Sequence, residues 1–200
     1  LFKAYLLNVL IKFKLFNGKK VKTKMMYDSE NRYYENDYAL AFEKTYEKDK
    51  KYSFIGILPK AKGQFKLENL NISQLITQKK KGYIQIAIPK FEYKWKRNIV
   101  PSMIDTGMVG IFNVFVPALN PMFITSDATN KYVNEIIHST AIKVDTEGTK
   151  AAAVTSTTVK NSVSIMPKKK IVLNRPFAYL IRNNKTGEIL FVGKVINPSK

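Results

Sequence analysis

The chain has 200 residues, is 45% hydrophobic, and carries 34 Lys+Arg against 15 Asp+Glu, a net charge of +19. That length and apolar content suit one core-forming domain or a large piece of one, and exclude wholesale disorder. Without Cys it has no disulfides, thiolate metal sites or Cys nucleophile, and no apolar run approaches the roughly 18 residues a membrane helix needs.

The first segment, Leu6 to Leu15, is interrupted by Asn8, Lys12 and Lys14 and is not expected to be a signal peptide. The chain begins with Leu1 rather than Met, so the expectation is a sequence that starts partway through a longer protein. Lys51 to Leu58 is an apolar run ended by Pro59, the pattern of a buried strand. Leu67 to Gln78 has apolar residues at 67, 70, 72, 75 and 76, which predicts a short helix. Tyr83 to Ile88 continues through Pro89 to Trp95 and reads as one long alternating strand with a proline at an edge or bend. Pro101 to Met108 predicts a short helix stopped near Gly107. Tyr132 to Val144 alternates again as a strand. Phe177 to Arg182 and Ile189 to Val195, joined through Asn183 to Gly187, are a hairpin signal. The class is β-rich α+β, with no repeat and no visible domain break.

One stretch contradicts itself. Thr146 to Ser162 places Ala151, Ala152 and Ala153, which favour helix, beside Val154, Thr155, Thr157, Thr158 and Val159, which favour strand. As a strand it would have one small, charge-free face (Thr149, Ala151, Ala153, Thr155) and an opposite face carrying Lys150 and Lys160. Such local conflict tends to sit at functional or strained sites.

Residues for catalysis are scarce. His138 is the one histidine and lies in an apparent strand, where a hydrogen-bonded structural role outweighs a base. No carboxylate pair has acid/base or metal spacing, and there is no phosphate-cradling glycine loop. The charge is mostly scattered lysine. The runs Lys48-Asp49-Lys50-Lys51, Lys79-Lys80-Lys81 and Lys168-Lys169-Lys170 read as solvated turns. Tyr33-Tyr34 and Phe91 to Trp95 read as aromatic core faces of strands rather than stacking platforms for nucleic acid.

Several ordered segments resemble the C-terminal half of the serpin family. Asn174 to Ile181 and Thr186 to Pro198 are similar to its C-terminal signature. His138 to Ala152 resembles the strand and hinge that lead into its reactive loop. Leu58-Pro59, Ile88-Pro89-Lys90-Phe91, Ser102 to Phe112 with Gly107-Met108, and Val21 to Met26 resemble further family elements in the same order. The resemblance runs from about residue 16 to 200, so the chain is expected to be a partial serpin domain whose N-terminal half is absent.

The resemblance implies a serpin fold, C-terminal portion, with mixed sheets, few helices and an exposed reactive loop at about 146–172. It implies a serine protease inhibitor that does no catalysis itself. A protease cuts the loop, is held as an acyl-enzyme, and the freed loop inserts into the central sheet. The hinge would be Glu147, Gly148, Thr149, Ala151, Ala152 and Ala153. Family spacing carried onto Gly148 places the scissile bond at Ser162–Val163. Lys150 and Val154 depart from the usual Glu and Ala.

The expected partner is a serine protease with a small pocket, elastase- or subtilisin-like; Lys160 or Met166 before the bond would instead suit trypsin- or chymotrypsin-like enzymes. No cofactor is required, although +19 makes a heparin-like sulfated polysaccharide a candidate. Neither a membrane nor nucleic acid is an expected partner, and the protein is expected to be a monomer. Secretion follows from the resemblance, with an intracellular location left open. Two alternatives remain: a non-inhibitory carrier, chaperone or polyanion-binding serpin, and an inactive fragment that aggregates for want of sheet partners.

Overall fold

A computed structural model describes residues 10–46, 50–124, 129–145 and 166–199. The chain order is β1 (Leu10–Lys14), β2 (Lys20–Glu35), β3 (Ala39–Thr45), β4 (Tyr52–Pro59), α1 (Ile72–Leu75), β5 (Lys79–Pro89), β6 (Phe91–Asn98), α2 (Val100–Asp105), β7 (Ile137–Val144), β8 (Lys169–Val172), β9 (Phe177–Asn183) and β10 (Ile189–Val195). Two compact units form, one from residues 1–92 and 143–200, the other from residues 93–142. The unbroken composition of the sequence gives no sign of this division.

The first unit is built on an eight-stranded sheet in the order β10-β9-β4-β3-β2-β5-β8, with β1 added to β2. All its pairings are antiparallel except β8, which lies parallel to β5. Strand β4 is buried from Ser53 to Pro59, as its continuous apolar run requires, because both faces of the sheet are covered there. On one face Tyr34, Ala39, Ala41, Ile55, Ile57, Ala178 and Leu180 pack under Phe65, Leu70 and Leu75. The other face holds an aromatic row. Phe42 lies 6.4 Å from Phe54, Phe54 stacks on Tyr179 at 5.9 Å, and Phe91 packs on both Tyr179 and Phe177.

Two glycines make that row fit. A Cβ on Gly56 would stand 2.6 Å from the Phe42 ring, and one on Gly193 would stand 2.5 Å from the Tyr179 hydroxyl. Each ring therefore lies across a neighbouring strand at a position where only hydrogen is tolerated.

Several elements differ from the sequence reading. The helix expected at Leu67 to Gln78 is a 3₁₀ turn, Glu68–Leu70, followed by the four-residue α1. Asn71 separates them in a left-handed conformation (φ +44), and its side chain accepts from Gln74 N at 3.4 Å to start the second piece. Asn adopts that conformation more readily than other side chains. Leu70 and Leu75 still reach the sheet, which is why the apolar spacing looked helical.

The single strand read from Tyr83 to Trp95 is two strands in different sheets, divided after Pro89. Pro89 closes β5, and Lys90 N donates to Lys24 O at 2.9 Å. Strand β5 also begins earlier, at Lys79. The lysine run 79–81 is not a turn but a paired strand end opposite Arg32, Tyr33 and Tyr34. Lysine stems tolerate such positions because the ammonium groups stay in water.

The hairpin β9–β10 forms as its sequence predicts. In the second unit α2 stops before Gly107 (φ +95), also as predicted. The strand expected from Tyr132 begins only at Ile137, and β7 pairs with β6 as a two-stranded sheet. This unit is tied by side-chain amides. Asn98 Oδ1 accepts from Val100 N and Ile136 N, and Asn120 Oδ1 accepts from Lys131 N at 2.8 Å. Phe115, Met122 and Ile124 remain solvent-exposed.

Candidate functional site

The contradictory stretch and every hinge residue predicted from it (Glu147, Gly148, Thr149, Ala151, Ala152, Ala153) lie outside the described residues, as do Ser162 and Val163. What is described is β7, which ends just before this stretch, and β8, which begins just after it.

Strand β7 leads in. Its last residue, Val144, is buried, and Lys143 pairs with Asp145 at 2.9 Å just before the loop. Among the described residues β7 has one strand neighbour, β6, and its other edge has no strand partner there. Such an edge is a template for a further strand. His138 sits on β7. Its ring packs edge-on against Trp95 at 5.7 Å and its Nε2 lies 3.1 Å from Thr140 Oγ1. The histidine is thus hydrogen-bonded, as its strand setting predicts. The described residues hold no group of three metal-ligating side chains.

Strand β8 follows this stretch in the chain. Lys168 N donates to Tyr83 O at 2.8 Å, and Leu173 N donates to Ala87 O at 2.9 Å, so β8 is bonded to β5 from end to end. Its first residue is fixed electrostatically. Lys169 Nζ donates to Glu35 Oε1 at 2.6 Å and lies over the Tyr33 ring at 5.5 Å. Glu35 is also approached by Lys60 at 3.3 Å and Lys80 at 3.4 Å. The Lys169 hydrogen bond, opposed by partial burial and helped by the other two lysines, holds the Glu35 carboxyl down at about 2. The lysine run 168–170, read as a solvated turn, is therefore the start of an anchored strand. The Glu35–Lys169 pair is 134 positions apart in sequence and could not be found there.

A second polar cluster braces the sheet beside this anchor. Tyr34 Oη donates to Glu43 Oε2 at 2.5 Å, and Arg182 Nη2 donates to Glu43 Oε1 at 2.7 Å. Burial alone would push the Glu43 carboxyl up, but the bonds from Tyr34 and Arg182 outweigh it and hold it below the usual value. Burial and the Glu43 carboxylate push the Tyr34 hydroxyl up, so it stays protonated and donating. Lys79, over the Tyr34 ring at 5.6 Å, adds a further cation. The cluster locks β2, β3, β5 and β9 in register. Its side chains are paired with one another across the sheet, a structural role.

Comparison with known proteins gives the family. Residues 9–198 match the family described as serpin (serine protease inhibitor). An uncharacterized serpin-like protein of Thermococcus kodakarensis is 29% identical over 189 residues, which are 91% of this chain and 43% of that protein. The leukocyte elastase inhibitor of Homo sapiens is 28% identical over 115 residues, covering 58% of this chain and 29% of that one. In the solved native-state structure of the thermophilic serpin tengpin, the match has a TM-score of 0.79 at 30% identity, covering 98% of this chain and 52% of that chain. The chain thus spans about half the length, or less, of the relatives it matches. The mixed sheets and few helices are those of the serpin fold, and the chain belongs to the serpin family.

Proposed function

We propose that the protein, in its full-length form, inhibits a serine endopeptidase through the segment between β7 and β8. What supports this reading is that β7, paired among the described residues with β6 alone, is followed in the sequence by a stretch whose alternate residues Thr149, Ala151, Ala153 and Thr155 are small and uncharged. The target's serine attacks the carbonyl carbon of Ser162, the bond to Val163 breaks, and Val163 leaves with a new amino terminus. Ser162 remains as an ester on the protease. Residues 148–162 then add to the sheet beside β7, carrying the protease with them.

Insertion is favourable because Thr149, Ala151, Ala153 and Thr155 can face inward without burying a charge. About a dozen net ladder bonds at roughly 1 kcal/mol each supply on the order of 10 kcal/mol. The chain acts as a substrate and a trap, and does no catalysis itself. Ser162 before the bond fits a protease with a small pocket, elastase- or subtilisin-like, in keeping with the relative named leukocyte elastase inhibitor. We place the protein outside the cell, as a monomer, on the family resemblance.

Incubation with an elastase- or subtilisin-like protease should give an SDS-stable complex whose mass is the sum of the two proteins less that of a released peptide beginning at Val163. A panel of such proteases that yields only cleaved chain and fully active enzyme would overturn the inhibitory reading.

A further inference from the structure

Asn17 and Gly18 are the one Asn-Gly pair in the sequence, and they lie in the turn that joins β1 to β2. Both are exposed, and Gly18 holds φ +80 with open space where a Cβ would stand. Leu15 N donates to Lys19 O at 2.8 Å and closes the turn. Inside it Lys19 N donates to Asn17 Oδ1 at 3.1 Å, the bond an asparagine side chain makes to the backbone two residues on. Gly18 N donates to Leu15 O at 3.1 Å.

The hairpin surrounds this turn with cations. In its register Lys12 lies opposite Lys22 and Lys14 opposite Lys20. Directly opposed residues share a face, and like charges there destabilise a sheet. None of the four has a carboxylate within ion-pair distance among the described residues. Gly18 also lines a cavity whose charged side chains are Lys12, Lys14, Lys20, Lys62 and Arg175, again without a carboxylate. A field of this sign eases the loss of a backbone amide proton and stabilises an oxyanion formed beside it.

We propose that Asn17 is a self-modifying site, at which the side-chain amide is lost to the neighbouring backbone nitrogen and a carboxylate takes its place. Gly18 N gives its proton to hydroxide and adds to Asn17 Cγ. Glycine suits the attacking position because no side chain shields its nitrogen. Negative charge moves onto Oδ1, the atom that already accepts from Lys19 N, and a donor aimed where charge develops speeds such a step. The Cγ–Nδ2 bond breaks, Nδ2 takes a proton from water, which restores the hydroxide, and ammonia leaves. A five-membered imide now joins Cγ to Gly18 N. Water adds to one of its two carbonyls and reopens the ring. Opening at Cγ gives aspartate. Opening at the main-chain carbonyl gives isoaspartate, whose backbone runs through the side chain. The net change is one water consumed and one ammonia released, with nothing oxidised or reduced. The new carboxylate stands among Lys14, Lys19 and Lys20 and offsets their repulsion. Isoaspartate also inserts a backbone atom into the turn that the Leu15–Lys19 bond closes, which frays β1. The site is independent of loop cleavage and of the inhibitory reading.

The test holds the full-length protein at pH 8 and 37 °C for several weeks, then digests it with trypsin, which frees residues 15–19. A sample digested at the start sets the background. The 15–19 peptide should gain about 1 Da and resolve into two products, aspartate and isoaspartate, told apart by electron-transfer fragmentation. The peptide carrying Asn184, which is exposed but followed by Lys185, should stay unchanged. The rate should rise about tenfold from pH 7 to pH 8, because only the deprotonated nitrogen attacks. It should be within about threefold of the rate in a blocked peptide of residues 15–19, or faster, because the folded turn keeps the Lys19 donor in place. Lys14→Gln with Lys20→Gln should slow conversion at least about threefold, whereas Lys94→Gln with Lys96→Gln, in the other unit, should alter it less than about twofold. If the first pair folds poorly, the peptide comparison needs no substitution and decides alone. A folded rate more than threefold below the peptide's, a gain in mass without isoaspartate, or equal slowing by the two pairs would overturn the proposal.

Discussion

Replacing Glu35 with Gln tests the anchor at the far end of the loop. The carboxylate meets Lys169 at 2.6 Å, Lys60 at 3.3 Å and Lys80 at 3.4 Å, and is only 16% exposed. A hydrogen bond to a charged group contributes about 1.5–3 kcal/mol when shielded and about 0–1 when exposed. The three lysines are 32–49% exposed, so the pairs are partly screened. The expected loss at pH 7 is therefore about 2 kcal/mol. Gln keeps a carbonyl acceptor, so the change removes charge rather than shape. The pH dependence fixes the cause. The folded carboxyl sits at about 2, below its ordinary 4.5. Its stabilisation is therefore fully present above about pH 4.5 and is lost as pH falls through 2. Urea denaturation of both proteins from pH 7 to pH 2 should show a gap that is constant down to about pH 5 and closes by pH 2. A gap below about 0.5 kcal/mol at pH 7, or one that does not close in acid, would refute the argument.

Gly56→Ala should destabilise by about 1–3 kcal/mol, because its Cβ meets the Phe42 ring at 2.6 Å in a packed core; an unchanged urea midpoint would mean that Phe42 moves without cost. Thr149→Arg, on the proposed inserting face, should convert the inhibitor into a substrate, since burying the guanidinium opposes insertion by several kcal/mol. Gel analysis should show cleaved chain replacing covalent complex, and an undiminished complex would exclude Thr149 from the buried face.

The parts of the fold legible in the sequence are those decided by local pattern. Strand β4 is a continuous apolar run because both its faces are covered, and β9–β10 alternate around a polar turn. The parts that were not legible depend on one backbone angle or on distant partners. Asn71 divides an apolar pattern of helical spacing by adopting φ +44, and nothing in that spacing records the angle. Lys79 to Lys81 look like a solvated turn, yet they pair with Arg32 to Tyr34 because only their stems need shelter. The candidate site divides in the same way. The parity of small residues marks Thr149, Ala151, Ala153 and Thr155 as one face of a strand, a local property, and the resemblance makes that stretch the proposed hinge. Its anchor left no such local mark, since Glu35 and Lys169 are far apart in sequence. The opposition of Lys12 to Lys22 and of Lys14 to Lys20 likewise required the β1–β2 register, which no local pattern records.

The two strands flanking the loop also explain why the proposed cut would act in one direction. β8 is bonded along its length to β5 and pinned by Lys169, so after the proposed cut the piece that begins at Val163 would stay joined to a fixed strand. β7 has a free edge among the described residues, so the N-terminal part has somewhere to go. To pair with β7 the freed segment must fold back on it, and Gly148, four positions beyond Val144, is placed for that turn. From Gly148 to Ser162 is 14 positions, whereas β7 has eight residues. The segment can therefore cover the whole edge with several residues to spare. A cut much nearer the hinge would leave too few residues to complete that strand. On this reasoning the position of the bond matters as much as its identity, and moving Ser162 toward Gly148 by deletion should weaken trapping before it weakens cleavage.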